Sequence, residues 1–336
     1  MQRINLQQLS VSKSVIHNPQ SAIIISNLNK LPTRAKKRET VISVGVFDGV
    51  HRGHQQILQK LICQTRKYPD AQSVVLTFQE HPLKILSPSF CPPLLLANEE
   101  KIWRIVEFGI DITVNLPFTK QFANLTASEF IIQILCNSFL LKEIIVGHDH
   151  GFGKHASGDV RLLEKLGDKL GFRVTVDAPV CYRNIPISST RIRESLIAGK
   201  VNDASAMLSR PHHIIGKVVK GDQRGRTLGF PTANLVTANE VIPGNGVYAV
   251  LAELAGKQYQ GIMNIGFRPT FFKNAKPTIE VYLLNYTGTL YGKKLKIYFI
   301  VRLRDEKRFP NPVELIVQIK KDIQKAKKSL TVKTQR

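Results

Sequence analysis

The sequence predicts an α/β chain in two parts: a doubly wound parallel sheet, then a small antiparallel β-barrel with a terminal helix. Three observations predict it. Over about 170 residues, short β-branched runs alternate with amphipathic stretches of helical length, as in parallel strands joined by helical crossovers. A glycine-rich turn, "GVFDGVHRGH" (45–54), stands where an early buried strand gives way to a helix. Beyond residue 212 the helical period fades, and strand-like runs follow one another across Gly, Pro and Asn turns.

The elements follow in order. Residues 1–38 are polar and basic apart from "AIIIS", which reads as an entry strand behind an extension, residues 1–13, with no assigned role. "VISVGVF" (41–47) is apolar and β-branched, a buried strand. "HQQILQKLICQTRKY" places Ile57, Leu58, Leu61, Ile62 and Thr65 on one helical face. "SVVLTF" (73–78) is a strand, "EEKIWRIVEFG" a helix and "DITVNLPF" a strand. "TASEFIIQILCNSF" is a helix opened by a Thr or Ser N-cap. "EIIVG" (143–147) is a strand, "GDVRLLEKLGDKLG" a helix stopped by glycine, and "FRVTVDAPV" a strand. "STRIRESLIAGKVNDASAMLSRP" reads as two short helices. "HIIGKVV", "GVYAVLAEL", "QYQGIMNIG", "TIEVYLL" and "KLKIYFIVRL" then build the barrel. In the last, Leu295, Ile297, Phe299, Val301 and Leu303 alternate with the other face. "PVELIVQIKKDIQKAKK" is the closing amphipathic helix. These elements predict domains at 1–205 and 206–336.

Composition bounds the function. No apolar run is long enough to span a bilayer, and the N-terminus lacks the core of a secretory signal, so no membrane partner is expected. Cys63, Cys91, Cys136 and Cys181 are scattered without pairing, which fits reduced thiols and a cytoplasmic protein. The 336 residues carry a formal charge of +23. That balance calls for a polyanionic partner such as phosphorylated ligands. Nucleic acid is not the expected one, because no aromatic-rich basic motif accompanies the charge. A weak homo-oligomer stays open.

Two motifs carry chemistry in the first part. In "GVFDGVHRGH" the glycines Gly45 and Gly49 let backbone approach a ligand, and a helix start offers N–H donors to an anion. His51 and His54, spaced i, i+3, can face one ligand and donate to phosphate oxygens. Zinc would need further ligands than these. "ISSTRIR" (187–193) precedes a helix and supplies hydroxyls and guanidinium groups that match phosphate oxygens; alone, it would pass for an ordinary helix cap.

Together these motifs resemble the nucleotidyltransferase superfamily. "GVFDGVHRGHQ", "VGHDHGFGKHASGD" and "ISSTRIR" are similar to the adenylyltransferase half of bacterial bifunctional riboflavin kinase/FAD synthetases. The resemblance implies a Rossmann-like domain in which His51 and His54 contact the ATP phosphates during catalysis. It places Gly45, Phe47, Asp48 and Gly49 at the nucleotide, with Asp48 near the reacting phosphates. Ser189, Thr190 and Arg191 would embrace the triphosphate. Asp149 and the turn at Phe152 and Gly153 would border nucleotide and flavin. The family often carries Pro-His-Pro after its second strand; here Glu80 precedes His81 and Pro82, which alters that flavin-side loop.

In the second part, "GKVVKGDQRGRTLGFPTANL" is not a Walker loop: it is one residue short, has Arg226 in place of lysine and lies between strands. Gly221, Gly225 and Gly229 still make a phosphate-approachable loop. Thr232 and Asn234 of "PTAN" offer oxygens of the kind Mg²⁺ prefers, although the tetrapeptide alone reads as a turn. Glu280 faces away from Ile279, Val281 and Leu283; it is either a solvated carboxylate on the barrel exterior or a base that takes a proton from an alcohol. "GRTLGFPTANL", "PGNGVYAV", "MNIGFRPTF", "TIEVYLLNYTGTLYGKKLKIYF" and "LRDEKRFPNPVELIVQIKKDIQKA" together resemble riboflavin kinase, in the family's order and spacing.

That resemblance implies that Gly221, Gly229, Pro231, Thr232 and Asn234 hold ATP and Mg²⁺, with Thr232 and Asn234 as the metal ligands, and that Glu280 is the catalytic base. Tyr282 and Asn285 stand where the family often has histidine and aspartate, and take no role. The implied function is a bifunctional transferase: riboflavin and ATP give FMN, then FMN and a second ATP give FAD and pyrophosphate. On the residues alone two other readings stay open. One is a nucleotidyltransferase for another acceptor with a non-catalytic barrel; the other is an RNA-binding protein on a retired enzyme scaffold.

Overall fold

The computed structural model describes residues 22–221, 228–266 and 278–334. The extension at 1–13, Gly225 and Arg226 of the "GDQRGRT" loop, and the end of "MNIGFRPTF" lie outside them. The chain divides into two compact units that part between Ser189 and Thr190.

The first unit is a six-stranded parallel sheet. Its strands are β1 (Ile23–Ile25), β2 (Glu39–Val44), β3 (Gln72–Phe78), β4 (Ile112–Leu116), β5 (Leu140–Gly147) and β6 (Arg173–Asp177). A buried parallel sheet shows apolar residues to both faces, and Val41 and Ile42, which point opposite ways, are both fully buried. Helices α1 (Arg52–Thr65) and α2 (Asn98–Glu107) cover one face, with Leu58, Leu61 and Ile105 packed on Val41, Val75 and Ile145. Phe130, Ile131 and Leu135 pack on the other face, as does Leu163 of α3 (Val160–Leu170). Asp159 caps α3, and Gly171, at φ 80°, ends it.

The strand order is β1-β4-β3-β2-β5-β6. The chain moves outward from β2 through β3 and β4, then returns to β2's other side as β5. The order therefore reverses between β2 and β5, where open α/β sheets bind ligands.

The helix expected over 126–139 takes another form. Thr126 and Glu129 make a capping box, one turn follows (Ala127–Glu129), and Phe130–Cys136 is a π-helix. Its wider turn, closed by Asn137 N–H on the Ile132 carbonyl at 3.0 Å, accommodates bulky Phe130, Ile131 and Leu135 against the sheet. A two-residue hairpin, β7 (Cys181–Tyr182) and β8 (Ile185–Pro186), follows β6.

The second unit opens with α4 (Ser189–Ile197), whose first residue still belongs to the first unit, and α5 (Val201–Leu208). A closed antiparallel barrel follows: β9 (His213–Val219), β10 (Ala233–Thr237), β11 (Gly246–Leu254), β12 (Lys257–Gly266), β13 (Thr278–Leu283) and β14 (Lys294–Arg304). Helix α6 (Pro312–Thr334) lies on its outer surface, with Ile323, Ala326 and Leu330 against Val247, Ala249 and Ile262. Asn311 caps α6 and Pro312 opens it.

Two readings of this half change. A sixth strand, β10, runs through the end of "PTAN"; only Ala233 and Leu235 in it are buried, too few to announce a strand. The alternation of β14 also stops at Phe299. A register shift skips Ile300 and sets Val301 beside Ala249, so Val301 and Leu303 join the cluster beneath α6 rather than the barrel interior. Helices α4 and α5 group with the barrel by contact: α5 packs on β14, and the Leu196 carbonyl of α4 accepts Gly244 N–H.

Candidate active sites

The first site lies at the reversal between β2 and β5. The turn after β2 is tightly folded: Phe47, Gly49 and Val50 have φ of 53°, 80° and 39°. Only glycine enters that region without strain, so two side chains here hold costly conformations that the surrounding packing maintains. The result is a compact entry into α1. His51 is the N-cap of α1, and its Nδ1 accepts His54 N–H at 3.4 Å. An accepting Nδ1 fixes the neutral tautomer with its proton on Nε2. The His51 and His54 rings stack with centroids 3.6 Å apart.

A cavity of about 260 Å³ opens here, bounded by Gly45, Phe47, His51 and His54 after β2, by Gly147 to His150 after β5, and by Asp177 to Val180 after β6. Ser188 and Ser189 complete its wall. Gly45, Phe47, His51, His54, Asp149 and Ser189 therefore meet at one cavity. Asp48 does not show its carboxylate there. It is 3 % exposed and turned inward, accepting the N–H groups of Leu95 at 3.0 Å and Leu96 at 3.4 Å. Its main-chain carbonyl accepts the Ser189 hydroxyl at 2.9 Å. Asp48 thus braces the turn from behind, against the chain entering α2, and Gly49 is buried beside it. Thr190, exposed, and Arg191, half-buried, fall in the second unit.

Three groups at this end of the sheet were not anticipated. Lys101 on α2 is buried, and its Nζ donates to the Phe78 carbonyl at the end of β3. Burial lowers its pKa to about 8, against the opposing attraction of Asp48. It lies four residues before Ile105 on the apolar face of "EEKIWRIVEFG", a spacing that could have flagged it. His150 stacks on Phe152 at 5.7 Å, and burial lowers its pKa to about 4, so the ring is neutral near pH 7. Asp177 is clasped by Lys60 Nζ at 2.8 Å and Gln56 Nε2 at 2.7 Å, which ties the end of β6 to α1. Imidazoles, serine hydroxyls and a helix start thus surround one crevice, groups whose N–H and O–H donors suit anionic oxygens.

The second site lies on the outside of the barrel, roofed by α6. In register, Asn234 of β10 faces Glu280 of β13, Glu280 faces Asn264 of β12, Asn264 faces Val247 of β11, and Val247 faces Arg304 of β14. Partners across antiparallel strands share a face, so these residues form one row. Glu280, Asn264, Val247 and Arg304 line a cavity of about 350 Å³. Glu280 is thus on the barrel exterior, yet half-buried under a roof, where a carboxylate has few water molecules to spare.

Thr232 lines the same cavity, its hydroxyl 3.5 Å from the Glu280 carboxylate. Asn234 sits at the row's end against Gly221: a Cβ on Gly221 would come 2.0 Å from the Asn234 amide, so only glycine permits the approach. Gly229 has φ 84°, and Pro231 is exposed in the same turn. Tyr282 also lines the cavity, edge-on to Phe230 at 5.8 Å. Ile262, Phe309, Leu315 and Ile319 give the wall an apolar stretch, and Glu306 and Lys307 line the cavity as well. Asp322 of α6 closes it by receiving Arg304 Nε and Nη2 at 2.9 Å each. Asn264 was missed because strand register, not local pattern, sets it beside Glu280. Among the described residues no group of three or more His, Cys, Asp or Glu is arranged to hold a metal ion.

Two family models match the chain: FAD synthetase over residues 33–191 and riboflavin kinase over residues 208–330. The chain is 38 % identical over 286 residues to the bifunctional riboflavin kinase/FMN adenylyltransferase of Buchnera aphidicola subsp. Acyrthosiphon pisum, covering 84 % of this chain and 91 % of that one. It is 37 % identical over 299 residues to the protein of the same description from Escherichia coli K12, covering 89 % and 94 %. It is also similar to a crystal structure described as a macrolide-efflux protein from Streptococcus pneumoniae. The TM-score is 0.82 at 31 % identity, over 91 % of this chain and 99 % of that one. Among the described residues, no helix is long and apolar enough to cross a membrane.

Proposed function

Since the chain belongs to the bifunctional riboflavin kinase/FMN adenylyltransferase family, and so converts riboflavin to FMN and FMN to FAD with ATP, we propose which residues of its two cavities carry each reaction. The observation that carries the proposal is Glu280, a half-buried carboxylate set between two asparagines in a roofed cavity whose far wall is apolar.

In the barrel, the flavin ring lies against Ile262, Phe309, Leu315 and Ile319. Glu280 takes the proton of the riboflavin 5′-hydroxyl as its oxygen attacks the γ-phosphorus of ATP; the bond to the β,γ-bridging oxygen breaks, and FMN and ADP form. Mg²⁺ fits the donor set. Thr232 Oγ1 and Asn234 Oδ1 are hard neutral oxygens beside a carboxylate, and Mg²⁺ takes one or two protein ligands together with phosphate oxygens. When bound, it would neutralise charge on those oxygens. Gly221 and Gly229 leave the backbone room to approach the phosphates.

In the sheet unit, an FMN phosphate oxygen attacks the α-phosphorus of a second ATP, and pyrophosphate leaves. His51 and His54 donate to the phosphate oxygens, Ser189 adds a hydroxyl, and Thr190 and Arg191 hold the triphosphate. Gly45 and Phe47 shape the nucleotide edge, Gly49 sets the turn and Asp48 braces it, while Asp149 borders the flavin. Imidazole donors and bound ATP suffice, so no covalent enzyme intermediate forms.

We place both reactions in the cytoplasm, consistent with free Cys63, Cys91, Cys136 and Cys181. The +23 charge is read as attraction for phosphorylated substrates. Each cavity is lined by one unit of one chain, so a weak homo-oligomer is compatible with either reaction and needed by neither.

Incubation with ATP, Mg²⁺ and either riboflavin or FMN, followed by flavin separation, tests the division. His54→Ala should lower FAD formation about 10²–10³-fold and leave FMN formation intact. Glu280→Gln should lower FMN formation about 10²–10⁴-fold and leave FAD formation from supplied FMN intact. A folded variant that loses both reactions would show the division to be wrong.

A further inference from the structure

We infer that Asn264 is a specificity-determining residue of the kinase site, its amide holding the ribityl hydroxyl next to the one that is phosphorylated. The inference rests on the reading of Glu280 as the base. Its ground is the direction of the cross-strand row.

Asn234 stands at one end, beside Gly221 and the turn at Thr232 where phosphate is held. Glu280 comes next, then Asn264. Directly opposed side chains of antiparallel strands have Cβ atoms about 5 Å apart. Two residues before Asn264, and so on the same face of β12, lies Ile262, which begins the apolar wall. The row therefore runs from phosphate to base to amide to ring pocket.

Riboflavin has the same order. Its 5′-hydroxyl must meet Glu280, its ring must lie on the apolar wall, and the remaining hydroxyls of the ribityl chain cross the space between. The first along that path is the 4′-hydroxyl, and the side chain next to Glu280 in the row, on the way to Ile262, is Asn264. A carboxamide both donates and accepts, as a hydroxyl does, so one pair can satisfy both partners. Among the described residues the Asn264 side chain makes no hydrogen bond. The side chain is half-buried, so its carboxamide is available to pair with a substrate hydroxyl.

The consequence is selectivity. A site built to pair with a hydroxyl rejects an analogue lacking it far more strongly than an apolar site does, because its own polar group is left unsatisfied. The test compares kcat/KM of the kinase reaction for riboflavin and for 4′-deoxyriboflavin in the full-length enzyme. The wild type should favour riboflavin by on the order of 10²-fold. Asn264→Ala should lower that ratio to within about threefold, and Asn264→Ser, which keeps a donor and an acceptor, should retain much of it. KM for ATP in the kinase reaction should be unchanged, which reports that the barrel of each variant is folded, and FAD formation from supplied FMN should be unchanged as well.

If Asn264→Ala is too slow to assay, the ratio of dissociation constants for the two flavins, read from flavin fluorescence, takes its place. An Asn264→Ala enzyme as selective as the wild type overturns the inference. Glu280→Gln, run in parallel, separates the two failures: if it stays active, the assignment of the base is wrong, whatever Asn264 does.

Discussion

His51 sits where a strand ends and a helix starts, and that position gives its two nitrogens different work: Nδ1 accepts the helix's own N–H, which orients Nε2–H for a ligand. Local spacing determines this, so the histidine pair was legible in the sequence. Asp48 was not, because its carboxylate is turned inward by N–H groups at Leu95 and Leu96, in a distant stretch of chain. Lys101 is the same kind of case, and it has a measurable consequence. Burial lowers its pKa from the usual 10.5 to about 8. Between those values the unfolded chain holds a proton that the folded one does not. Stability of the sheet unit should therefore rise with pH from about 8 to about 10.5, by about 3 kcal/mol, and Lys101 should add no pH dependence below that window, where both states hold its proton. The difference in unfolding free energy between wild type and Lys101→Met, measured at pH 7, 8, 9 and 10, isolates the term. A difference that stays flat across the series would mean that Lys101 keeps an ordinary pKa.

Among the elements, α6 joins packing to chemistry most directly. Its C-terminal half buries Ala326 and Leu330 on the barrel, and its N-terminal half lends Leu315 and Ile319 to the cavity proposed for the flavin ring. Between them Asp322, 2 % exposed, receives Arg304 and also Gln318 Nε2 at 2.8 Å. Removing one partner of a buried pair leaves the other charge uncompensated, at about 3–5 kcal/mol, and the partial exposure of Arg304 puts the effect near the lower figure. Asp322→Asn should thus lower the barrel's urea midpoint and raise KM for riboflavin, with FAD formation from supplied FMN unchanged. An unchanged riboflavin KM would detach α6 from the ring site. The amphipathic pattern made α6 legible, as it did α1 to α3. It failed where geometry departs from a simple period: in the π-helix at Phe130–Cys136, at the register shift that skips Ile300, and in β10, with only Ala233 and Leu235 turned inward.

At the scale of the whole chain, the alternation of strands and helices announced both units, but the strand order that makes the β2/β5 crevice and the register that makes the Asn234–Glu280–Asn264 row belong to long-range pairing. Each cavity is lined entirely within one unit. Apart from Thr190 and Arg191 at the start of the second unit, neither chemistry draws on a side chain from the other half, and FMN is the one product of the first reaction that the second consumes. Two defective chains should therefore complement each other. The His54→Ala enzyme makes FMN and stops; the Glu280→Gln enzyme uses FMN but makes little. Mixed with riboflavin, ATP and Mg²⁺, they should form FAD after a lag in which free FMN accumulates, and the lag should shorten in proportion as the Glu280→Gln enzyme is increased. Added apo-flavodoxin, which binds free FMN, should suppress complementation by the mixture. If FAD never forms in the mixture although each variant keeps its own reaction, FMN does not leave the barrel of one chain for the crevice of another, and the two sites work only as a pair within a single chain.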